Sequence, residues 1–579
     1  MNFLENIFER LGRSPERPVL VEMRPEGNAT ATARDLLERI AAARRFLADA
    51  GLRKGDRCVL LSANGIAWVA CDLAAMAEGI IVVPLYARQA PGELAAMARD
   101  CQPRLICCGD AALAAALRTA WSAAAGAAKT SADAGASLPP VVTYDEVFAK
   151  SGSIATNGVQ MAPVRAAGGD VVAIIYTSGT SGEAKGVMLT VSNVTHMLGC
   201  TTARLDQLMG APFIGSQKGG PAGGGQEHTE QVVHYLPFCF AASWILLLSC
   251  LSRASTLYLC VDLGRLAEDL RAAKPEYCLN VPALLERMRA AVEGQLASRG
   301  GITQKIFTKA KSAWLARRNG ERAGGAIWLA VGEKLIFPAI RKKLGPNLKA
   351  LICGSAPLAL ETQLFFLMLG IPVLQGYGLT ETTGICTLDE PGRAESGAVG
   401  AAIPGIEMKL GDGNEILVRG PNIFAGYWNR PQETAKCFSD GWFRTGDQGE
   451  QTSAGNWRII GRLKNLLILN SGHNIAPEPL EEKLLQSIPG TQQAVLFGNG
   501  RSYLAALLTG EVRAENAEKQ IAVLNATLPH YRQIRAFRIE PQPLTIESGL
   551  LTANGKLRRE AIARTFSEAI EVMYRKNAQ

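Results

Sequence analysis

The sequence lacks the patterns that mark a disulfide scaffold or a metal site built from cysteine or histidine. Its 13 cysteines include no CxxC pair, and its five histidines show no HExxH or HxxxH spacing. A secreted disulfide framework and a thiolate or imidazole zinc site are therefore both unsupported. We expect a protein of a reducing cytoplasm, in which any bound metal ion has oxygen ligands.

Long hydrophobic runs and long runs of like charge are also missing. The most apolar stretches, 238–251 and 364–374, are shorter than the roughly 20 residues that span a bilayer, so they predict buried core. Residues 1–10 carry acids where a signal peptide needs a basic end and an apolar stretch, which predicts no export. The net charge of +8 is spread along the chain without a basic run, which favours small anionic ligands over nucleic acid. Peripheral contact with the inner face of a membrane is left open, and so is the oligomeric state.

Alternating helical and strand patterns predict an α/β fold. The segments are, in order, helix 31–47, strand 57–62, helix 68–77, strand 80–85 and helix 91–100. This alternation is typical of a mostly parallel sheet with helices on its faces. We expect two interruptions, an Ala-, Ser- and Gly-rich segment at 111–140 and a flexible surface loop at 216–225.

Beyond residue 400 the pattern changes to short strands and turns. The clearest strands are 415–419 and 457–460, and the clearest later helices are 479–486 and 557–575. We predict a large N-terminal domain of helix-flanked, mostly parallel sheets with small β-strands over residues 1–461. A smaller, mobile α+β domain is predicted over residues 462–579.

The most informative segment is an apolar strand that runs into a loop of small residues. It begins at Val171, and its loop contains Thr177, Ser178, Gly179, Thr180, Ser181 and Gly182, followed by Lys185. Small residues let backbone N–H groups turn toward an anion, hydroxyl groups add donors, and Lys185 supplies a positive charge for phosphate oxygens. No Gly-Lys-Ser/Thr closes the pattern, so it is not a Walker loop. The segment predicts a phosphate-binding loop.

Together with later motifs, this loop resembles that of the adenylate-forming superfamily of acyl-CoA synthetases, luciferases and nonribosomal adenylation domains. The matching motifs appear in the family's order: the phosphate loop 176–186, the adenine-side loop 354–358, the second nucleotide motif 375–382, the ribose motif 441–447, the hinge 461–465, the loop 471–477 and the C-terminal 554–556. The resemblance covers nearly the whole chain. Within the superfamily the sequence is most similar to long-chain fatty acyl-CoA synthetases, through residues 266–288, 471–481 and 545–552.

The resemblance implies a ligase that uses ATP and Mg²⁺ to convert a medium- or long-chain fatty acid to acyl-AMP and then transfers it to coenzyme A. Because the carboxylate itself attacks the α-phosphorus, catalysis depends on positioning and on stabilising charge. By the resemblance, the β- and γ-phosphates are held by Thr177, Ser178, Gly179, Thr180, Ser181, Gly182 and Lys185, the α-phosphate by Thr380, and Mg²⁺ by Glu381. The adenine lies beside Gly354, Ser355, Ala356 and Pro357 and against Tyr377, which Gly376 and Gly378 flank, and the ribose is bound by Asp447 and Arg462. Lys556 bridges the carboxylate and the α-phosphate, and Gly472 is on a loop that reaches the site in the second step.

The sequence departs from the family pattern at several positions. Ala184 replaces a common proline, and Asn465 replaces an acid after the hinge lysine. Phe240 stands where long-chain relatives have histidine, with Ser243 and Trp244 in place of an acid and an arginine. Two interpretations of that segment stay open, a repacked hydrophobic wall and an altered acyl pocket or acceptor.

Two alternative functions also stay open. An acyl carrier protein could replace coenzyme A, because both acceptors present the same pantetheine thiol. A catalytically idle acyl or nucleotide binder is the second alternative. The presence of Lys185, Glu381, Asp447 and Lys556 argues against it.

Overall fold

A computed structural model of the chain describes residues 2–126, 137–149, 163–164, 166–178, 184–210, 229–321, 325–552 and 555–575. The predicted flexible loop 216–225, the phosphate-loop residues Gly179, Thr180, Ser181 and Gly182, and Asn554 lie outside the described residues.

The described chain alternates helices and strands. The helices are α1 Phe3–Arg13, α2 Ala33–Asp49, α3 Ile66–Ala77, α4 Pro91–Cys101, α5 Ala111–Gly126, α6 Tyr144–Phe148, α7 Val191–Gly210, α8 Ala241–Leu251, α9 Leu266–Ala273, α10 Pro282–Arg299, α11 Gly301–Arg318, α12 Ala326–Val331, α13 Phe337–Leu344, α14 Leu360–Met368, α15 Pro431–Lys436, α16 Glu478–Ser487, α17 Ala514–Ala526, α18 Arg559–Thr565 and α19 Ser567–Arg575. A π-helical turn, Gly332–Ile336, joins α12 to α13, and short 3₁₀ turns include Thr380–Thr382 and Leu463–Asn465.

The strands are β1 Pro18–Met23, β2 Ala29–Thr32, β3 Arg57–Ser62, β4 Ile81–Tyr86, β5 Leu105–Cys108, β6 Val141–Thr143, β7 Val171–Ser178, β8 Ala184–Thr190, β9 Glu230–His234, β10 Ser255–Cys260, β11 Tyr277–Asn280, β12 Ala350–Cys353, β13 Val373–Tyr377, β14 Thr387–Leu388, β15 Ala401–Ala402, β16 Glu407–Leu410, β17 Glu415–Arg419, β18 Gly426–Tyr427, β19 Phe438–Ser439, β20 Trp442–Gln451, β21 Trp457–Arg462, β22 Leu467–Ile468, β23 Asn474–Ile475, β24 Thr491–Phe497, β25 Leu504–Gly510 and β26 Ile534–Glu540.

Two large, mostly parallel sheets form the N-terminal part. One has the strand order β15-β14-β13-β12-β11-β9-β10-β1-β2, with parallel pairing from β13 to β1. The other has the order β18-β8-β7-β4-β3-β5-β6, with parallel pairing from β7 to β6. An antiparallel sheet of β16, β17, β19, β20 and β21 follows. The predicted α/β class with mostly parallel, helix-covered sheets is confirmed.

The C-terminal part has its own small sheet and core. Strands β24, β25 and β26 form this sheet, with one antiparallel and one parallel pair. Its core includes Leu469, Leu484, Leu496, Leu508 and Ile521, which pack together separately from the cores of the two large sheets. The predicted boundary between residues 461 and 462 stays a prediction.

The periodicity of apolar residues in the sequence predicted most of these helices and strands near their observed positions. Strands 57–62 and 415–419 have the predicted bounds, and the predicted strand 457–460 extends to Arg462. The apolar runs at 238–251 and 364–374 supply buried residues of α8, α14 and β13, as expected. Among the described residues, no helix is long and apolar enough to cross a membrane.

Two predictions about helices were wrong in detail. The segment 111–140 does not interrupt the alternation at its start, because Ala111–Gly126 is a helix that buries Ala114, Leu117 and Trp121. Alanine has the highest helix propensity, so an Ala-rich stretch with this apolar spacing forms a helix. The predicted helix 557–575 is two helices, because Leu557 pairs with Leu551 in a β-bridge and Phe566 separates α18 from α19.

Candidate active site

A large cleft of about 3630 Å³ lies at the carboxyl ends of β7, β12 and β13 and reaches the C-terminal part of the chain. Its walls include Thr177 and Lys185 from the phosphate-loop strands, Tyr377 and Asp447, and Lys556. The carboxyl edge of parallel strands is the usual position of a ligand site in α/β proteins. These residues from four of the predicted motifs therefore meet in one cleft.

Glycines hold two of these motifs close together. A Cβ atom on Gly354, which follows β12, would lie 3.1 Å from the carbonyl oxygen of Gly376 in β13. A Cβ atom on Gly378 would lie 2.4 Å from the Cα atom of Ile385, closer than two carbons can approach. The adjacent Ser355 has a φ of 74° in the left-handed region. The chain is thus folded tightly at both loops, where a larger residue would force the backbone apart.

The remaining residues of the adenine-side loop face the open cleft. Ser355, Ala356 and Pro357 are exposed there, and all three belong to the cleft wall. Small exposed side chains beside backbone groups leave room for a flat ligand. Their predicted contact with adenine stays a prediction.

Tyr377, Asp447 and Arg462 form a linked group beneath the cleft. The Tyr377 hydroxyl donates to Oδ2 of Asp447 at 2.8 Å, and Nε of Arg462 lies 2.8 Å from Oδ1. Asp447 and Arg462 are directly opposed on β20 and β21, so strand pairing sets this contact. Burial raises the pKa of Asp447, against the opposing effects of the Arg462 charge and the Tyr377 hydrogen bond. The group holds a carboxylate in a fixed orientation at the cleft.

Glu381 and Lys185 are linked through Tyr427. The Tyr427 hydroxyl donates to Oε1 of Glu381 at 2.8 Å, and Nζ of Lys185 lies 5.2 Å from the centre of the Tyr427 ring. Lys185 also forms an ion pair with Glu433 on α15. Thr380 precedes Glu381 in a 3₁₀ turn, and both residues line the cleft. The arrangement puts a carboxylate and an ammonium group on neighbouring parts of one wall.

Three cationic side chains gather near the two cleft carboxylates. Lys464 and Lys556 remain open to the water of the cleft, although protein surrounds much of each side chain. This partial burial and the positive charge of Arg462 lower the pKa of Lys464 to about 8, while Asp447 and Glu381 act in the opposite direction. The same causes lower the pKa of Lys556. Mutual repulsion among these cations would be relieved by a bound polyanion.

Three further predicted site residues are Thr177, Ser178 and Gly472. Thr177 is directly opposed to Lys185 on β7 and β8, at the base of the phosphate loop. Ser178 ends β7, opposite Ala184. Gly472 forms a tight turn with a φ of 81° between β22 and β23, outside the cleft wall. Its predicted approach to the site stays a prediction.

The unusual segment after β9 is divided between cleft and core. Phe240 lines the cleft, 6.0 Å from the Tyr86 ring, whereas Trp244 is buried and donates from its indole nitrogen to Oδ2 of Asp72 at 3.0 Å. Ser243 is also buried; its hydroxyl donates to the Leu236 carbonyl at 2.9 Å. Trp244 thus belongs to a repacked interior, and of the three departing positions only Phe240 presents a large side chain to the cleft.

The buried Ser243 has a histidine neighbour. Since the Ser243 proton is used on Leu236, Nε2 of His234 donates to the Ser243 oxygen at 2.5 Å. Burial lowers the pKa of His234 to about 4, so its imidazole is neutral. His234 therefore has a structural role behind the cleft wall.

Sequence analysis missed several residues of this region. Tyr427 and Glu433 contact Glu381 and Lys185, but they lie in a stretch without a motif. Asn465 donates to Oε1 of Glu478 at 2.6 Å, so an acid at this position would face a second carboxylate. No short sequence pattern indicates such partners, which tertiary packing brings together.

The chain is similar to named enzymes over most of its length. It is 28% identical over 575 residues to the long-chain-fatty-acid–CoA ligase FadD15 of Mycobacterium bovis, covering 94% of this chain and 92% of that protein. It is 26% identical over 595 residues to long chain acyl-CoA synthetase 3 of Arabidopsis thaliana, covering 91% and 84%. The solved o-succinylbenzoate–CoA synthetase of Bacillus subtilis, bound to an acyl-adenylate, shares the fold with a TM-score of 0.71 and 18% identity, over 96% of this chain and 97% of that one.

Two family models cover nearly the whole sequence. The model described as an AMP-binding enzyme matches residues 7–428, and that of the AMP-binding enzyme C-terminal domain matches residues 464–578. The first match alone spans more than half of the chain. The chain therefore belongs to the AMP-binding enzyme family.

Proposed function

We propose that the protein is a fatty acid–CoA ligase that activates a medium- or long-chain fatty acid as acyl-AMP and passes the acyl group to the coenzyme A thiol. The observation that carries this proposal is the cluster of Arg462, Lys464 and Lys556 beside Asp447 and Glu381 in one cleft. Relatives named long-chain-fatty-acid–CoA ligase and long chain acyl-CoA synthetase support the substrate class.

The cleft residues fit a nucleoside triphosphate. Asp447 offers a buried, oriented carboxylate to the ribose hydroxyls, and the tight glycines at 354 and 378 keep side chains away from the space beside them. Lys185, Thr177 and the loop that follows β7 would hold the β- and γ-phosphates, with Lys464 and Lys556 near the α-phosphate. The lowered pKa values of Lys464 and Lys556 indicate cations that a polyphosphate would stabilise.

Glu381 fits a magnesium ion shared with the substrate. Its carboxylate lines the cleft, and Tyr427 occupies only Oε1. The described residues hold no cluster of three or more His, Cys, Asp or Glu that could form a metal cage. Mg²⁺ is commonly held by one or two carboxylates together with substrate phosphates. Glu381 would therefore be its protein ligand, and the ion would offset charge on the phosphates.

Catalysis of the first step depends on the positive charges of the site and on the placement of the two reactants. The fatty carboxylate attacks the α-phosphorus, the bond to the bridging oxygen breaks, and pyrophosphate leaves with the electron pair. Lys556 would hold the carboxylate against the α-phosphate, and Thr380 would donate to an α-phosphate oxygen. Correct placement of two bound reactants can lower a barrier by several kcal/mol.

In the second step, different protein groups must face the cleft. The coenzyme A thiol loses its proton and attacks the acyl carbon, and AMP leaves. We assign this exchange to movement of the domain 462–579 relative to 1–461 about the hinge at Lys464, which would withdraw Lys556 and bring the Gly472 turn to the cleft.

The Lys556→Ala variant tests the assignment. Fatty-acid-dependent release of pyrophosphate should collapse, whereas thioester formation from supplied acyl-AMP and coenzyme A should largely persist. Lys519→Ala, which removes an exposed lysine of α17 that does not line the cleft, is the matched control and should change neither step. Equal loss of both steps in the Lys556 variant would show that this lysine is structural.

A substrate panel tests the proposed activity itself. Purified protein with ATP and Mg²⁺ is given saturated fatty acids of increasing length, with coenzyme A or a phosphopantetheine-bearing carrier protein as acceptor. ATP–pyrophosphate exchange driven by fatty acids excludes an idle binder. Faster transfer to the carrier protein than to coenzyme A would contradict the proposed acceptor.

A further inference from the structure

An ion pair joins Lys185, beside the phosphate loop, to Glu433, a residue that belongs to none of the motifs. Lys185 is in β8, whereas Glu433 is in the first turn of the short helix α15. Both side chains are partly enclosed, because 21% of the Lys185 side chain and 37% of the Glu433 side chain are exposed. The pair thus links the candidate active site to a helix outside its motifs.

Backbone contacts hold α15 beside β8. Strand β18 pairs with β8, and the amide of Trp428 donates to the Gly186 carbonyl at 2.8 Å. The Tyr427 amide, at the end of β18, donates to the Thr434 hydroxyl at 2.9 Å, which fixes the first turn of α15. The sheet therefore brings the two charged side chains together.

A second cation faces the other oxygen of the Glu433 carboxylate. Lys185 pairs with Oε2, whereas Nε of Arg430 lies 3.9 Å from Oε1. Asp100 holds Arg430 in turn, with its Oδ1 3.2 Å from Nη2. The hydrogen bond from Lys185 lowers the pKa of Glu433, and the charges of Arg430 and Lys436 act in the same direction. The carboxylate therefore has a cation beside it even when Lys185 turns away.

A bound polyphosphate needs the same ammonium group. The proposed function assigns Lys185 to the β- and γ-phosphates, and the inference below rests on that assignment. An ammonium group that binds phosphate must leave its carboxylate partner or divide its three donors, so the free energy of the ion pair is lost from the free energy of binding. AMP has no β- or γ-phosphate, so its binding would leave the pair intact.

We propose that Glu433 competes with the β- and γ-phosphates for Lys185. Glu433 is a positioning residue, because it acts through Lys185: it holds the lysine beside the phosphate site and takes it back when pyrophosphate leaves. The pair would thus weaken the binding of ATP and pyrophosphate and favour pyrophosphate release after the first step. An ion pair that only fastened α15 to β8 would stabilise the fold and leave the ratio of ATP affinity to AMP affinity unchanged.

Calorimetric titration of the full-length protein tests this competition. ATP with Mg²⁺, pyrophosphate and AMP are titrated separately and without a fatty acid, so that binding is measured without reaction. The Glu433→Gln variant keeps the size of the side chain and removes its charge. Since a partly exposed ion pair changes an equilibrium constant by about 2- to 5-fold, ATP and pyrophosphate should bind more tightly by this factor. The affinity for AMP should not change, and Glu433→Ala should give the same result.

A second background tests whether the effect passes through Lys185. Lys185→Gln should weaken the binding of ATP and pyrophosphate. In the Lys185→Gln protein, the additional Glu433→Gln substitution should change neither affinity, because its partner is already gone. Glu407→Gln is the matched control: it breaks an ion pair with Arg419 outside the cleft wall and should leave all three affinities unchanged.

Steady-state kinetics gives an independent measurement of the same effect. With saturating fatty acid and coenzyme A, Glu433→Gln should lower the KM for ATP and the inhibition constant of pyrophosphate, each by about 2- to 5-fold. The KM for the fatty acid should stay the same, because Lys185 is assigned to the phosphates alone.

Three results would overturn the proposal. One is unchanged or weaker ATP binding by both Glu433 variants. Another is tightening of AMP binding by the same factor as ATP binding. The third is an equal gain from Glu433→Gln in the Lys185→Gln background, which would show that Glu433 acts on the phosphates directly. Failure of the unaltered protein to bind ATP or to catalyse ATP–pyrophosphate exchange would instead count against the proposed function.

Discussion

An ion pair across the cleft should control how often Lys556 reaches the site. Nη1 of Arg558 lies 2.6 Å from Oε1 of Glu93, and Nη2 lies 3.1 Å from Oε2. Arg558 follows Lys556 by two residues, whereas Glu93 is on α4 in the N-terminal part. Burial would raise the pKa of Glu93, but hydrogen bonds from Arg558 and Gln89 outweigh it and lower the pKa. The pair therefore fastens the segment that carries Lys556.

The partial exposure of the Arg558–Glu93 ion pair determines how much its loss should cost. The Arg558 and Glu93 side chains are 25% and 35% exposed, between a surface pair and a buried one. Exposed pairs contribute about 0.2–1 kcal/mol, and hydrogen bonds to charged groups about 1.5–3 kcal/mol. The Glu93→Gln substitution should thus cost about 1–2 kcal/mol in the arrangement with Lys556 at the cleft. This corresponds to about a 5- to 30-fold decrease in the population of that arrangement.

Separate assays of the two half-reactions reveal this effect. Glu93→Gln should slow fatty-acid-dependent pyrophosphate release by a similar factor and leave thioester formation from supplied acyl-AMP unchanged. The exchanged pair Glu93→Arg with Arg558→Glu should restore part of the loss. Glu407→Gln is the matched control, because Glu407 makes a similar two-point contact with Arg419 on the surface of β16 and β17. Equal slowing of both half-reactions by Glu93→Gln, or no recovery in the exchanged pair, would refute the reasoning.

Three further predictions follow from buried groups and close contacts. Burial raises the pKa of Asp72 to about 7, so the native state holds its proton more tightly and stability decreases as pH rises from about 4 to about 7. Asp72→Asn, which keeps an acceptor for the Trp244 indole, should weaken this decrease in urea unfolding, and an unchanged pH dependence would contradict it. Gly378→Ala must displace Ile385 by more than an ångström and should abolish nucleotide binding in calorimetry, unlike the control Gly12→Ala, which adds a Cβ atom in open space on α1. Triphosphate binding at about pH 8 should be coupled to proton uptake by Lys464, measured as a buffer-dependent binding enthalpy; no buffer dependence would be the contrary result.

The sequence predicts elements well where periodicity and composition agree. Strand 57–62 is apolar and bounded by turn residues, so its bounds are those of β3. The Ala-rich helix α5 was missed because its composition resembles that of a linker, although Leu117 and Trp121 give it a buried side. The break before α18 depends on the bridge between Leu551 and Leu557, which a helical pattern does not reveal.

The site was predictable as motifs but not as contacts. Tyr377 and Asp447 are 70 residues apart, and only the fold places the phenol on the carboxylate. Likewise, the pairing of Lys185 with Glu433 depends on where α15 packs. Motif order identifies residue types that suit a chemistry, whereas hydrogen bonds between motifs follow from sheet register and loop packing.

The segment after β9 gives a last prediction, because Phe240 and Trp244 have different surroundings. Trp244 is buried and its indole nitrogen donates to Asp72. Phe240, whose ring lies next to that of Tyr86, is therefore the residue that can shape the space there. If the acyl chain passes here, Phe240→Ala opens room for a longer or branched chain and removes contact from a short one. Each methylene buried against the wall is worth about 0.8 kcal/mol, so the ratio of kcat/KM between acids that differ by one methylene should change by up to about 4-fold.

Steady-state kinetics over a series of fatty acids measures the change at Phe240. The expected result is a shift of the preferred acid toward longer or bulkier chains. Trp244→Phe is the control: it removes the donor to Asp72 and should lower the melting temperature without changing the order of preference. A uniform decrease in kcat/KM across all chain lengths in Phe240→Ala would place the acyl chain elsewhere in the cleft. Phe240 would then be part of a repacked wall, like Trp244 behind it.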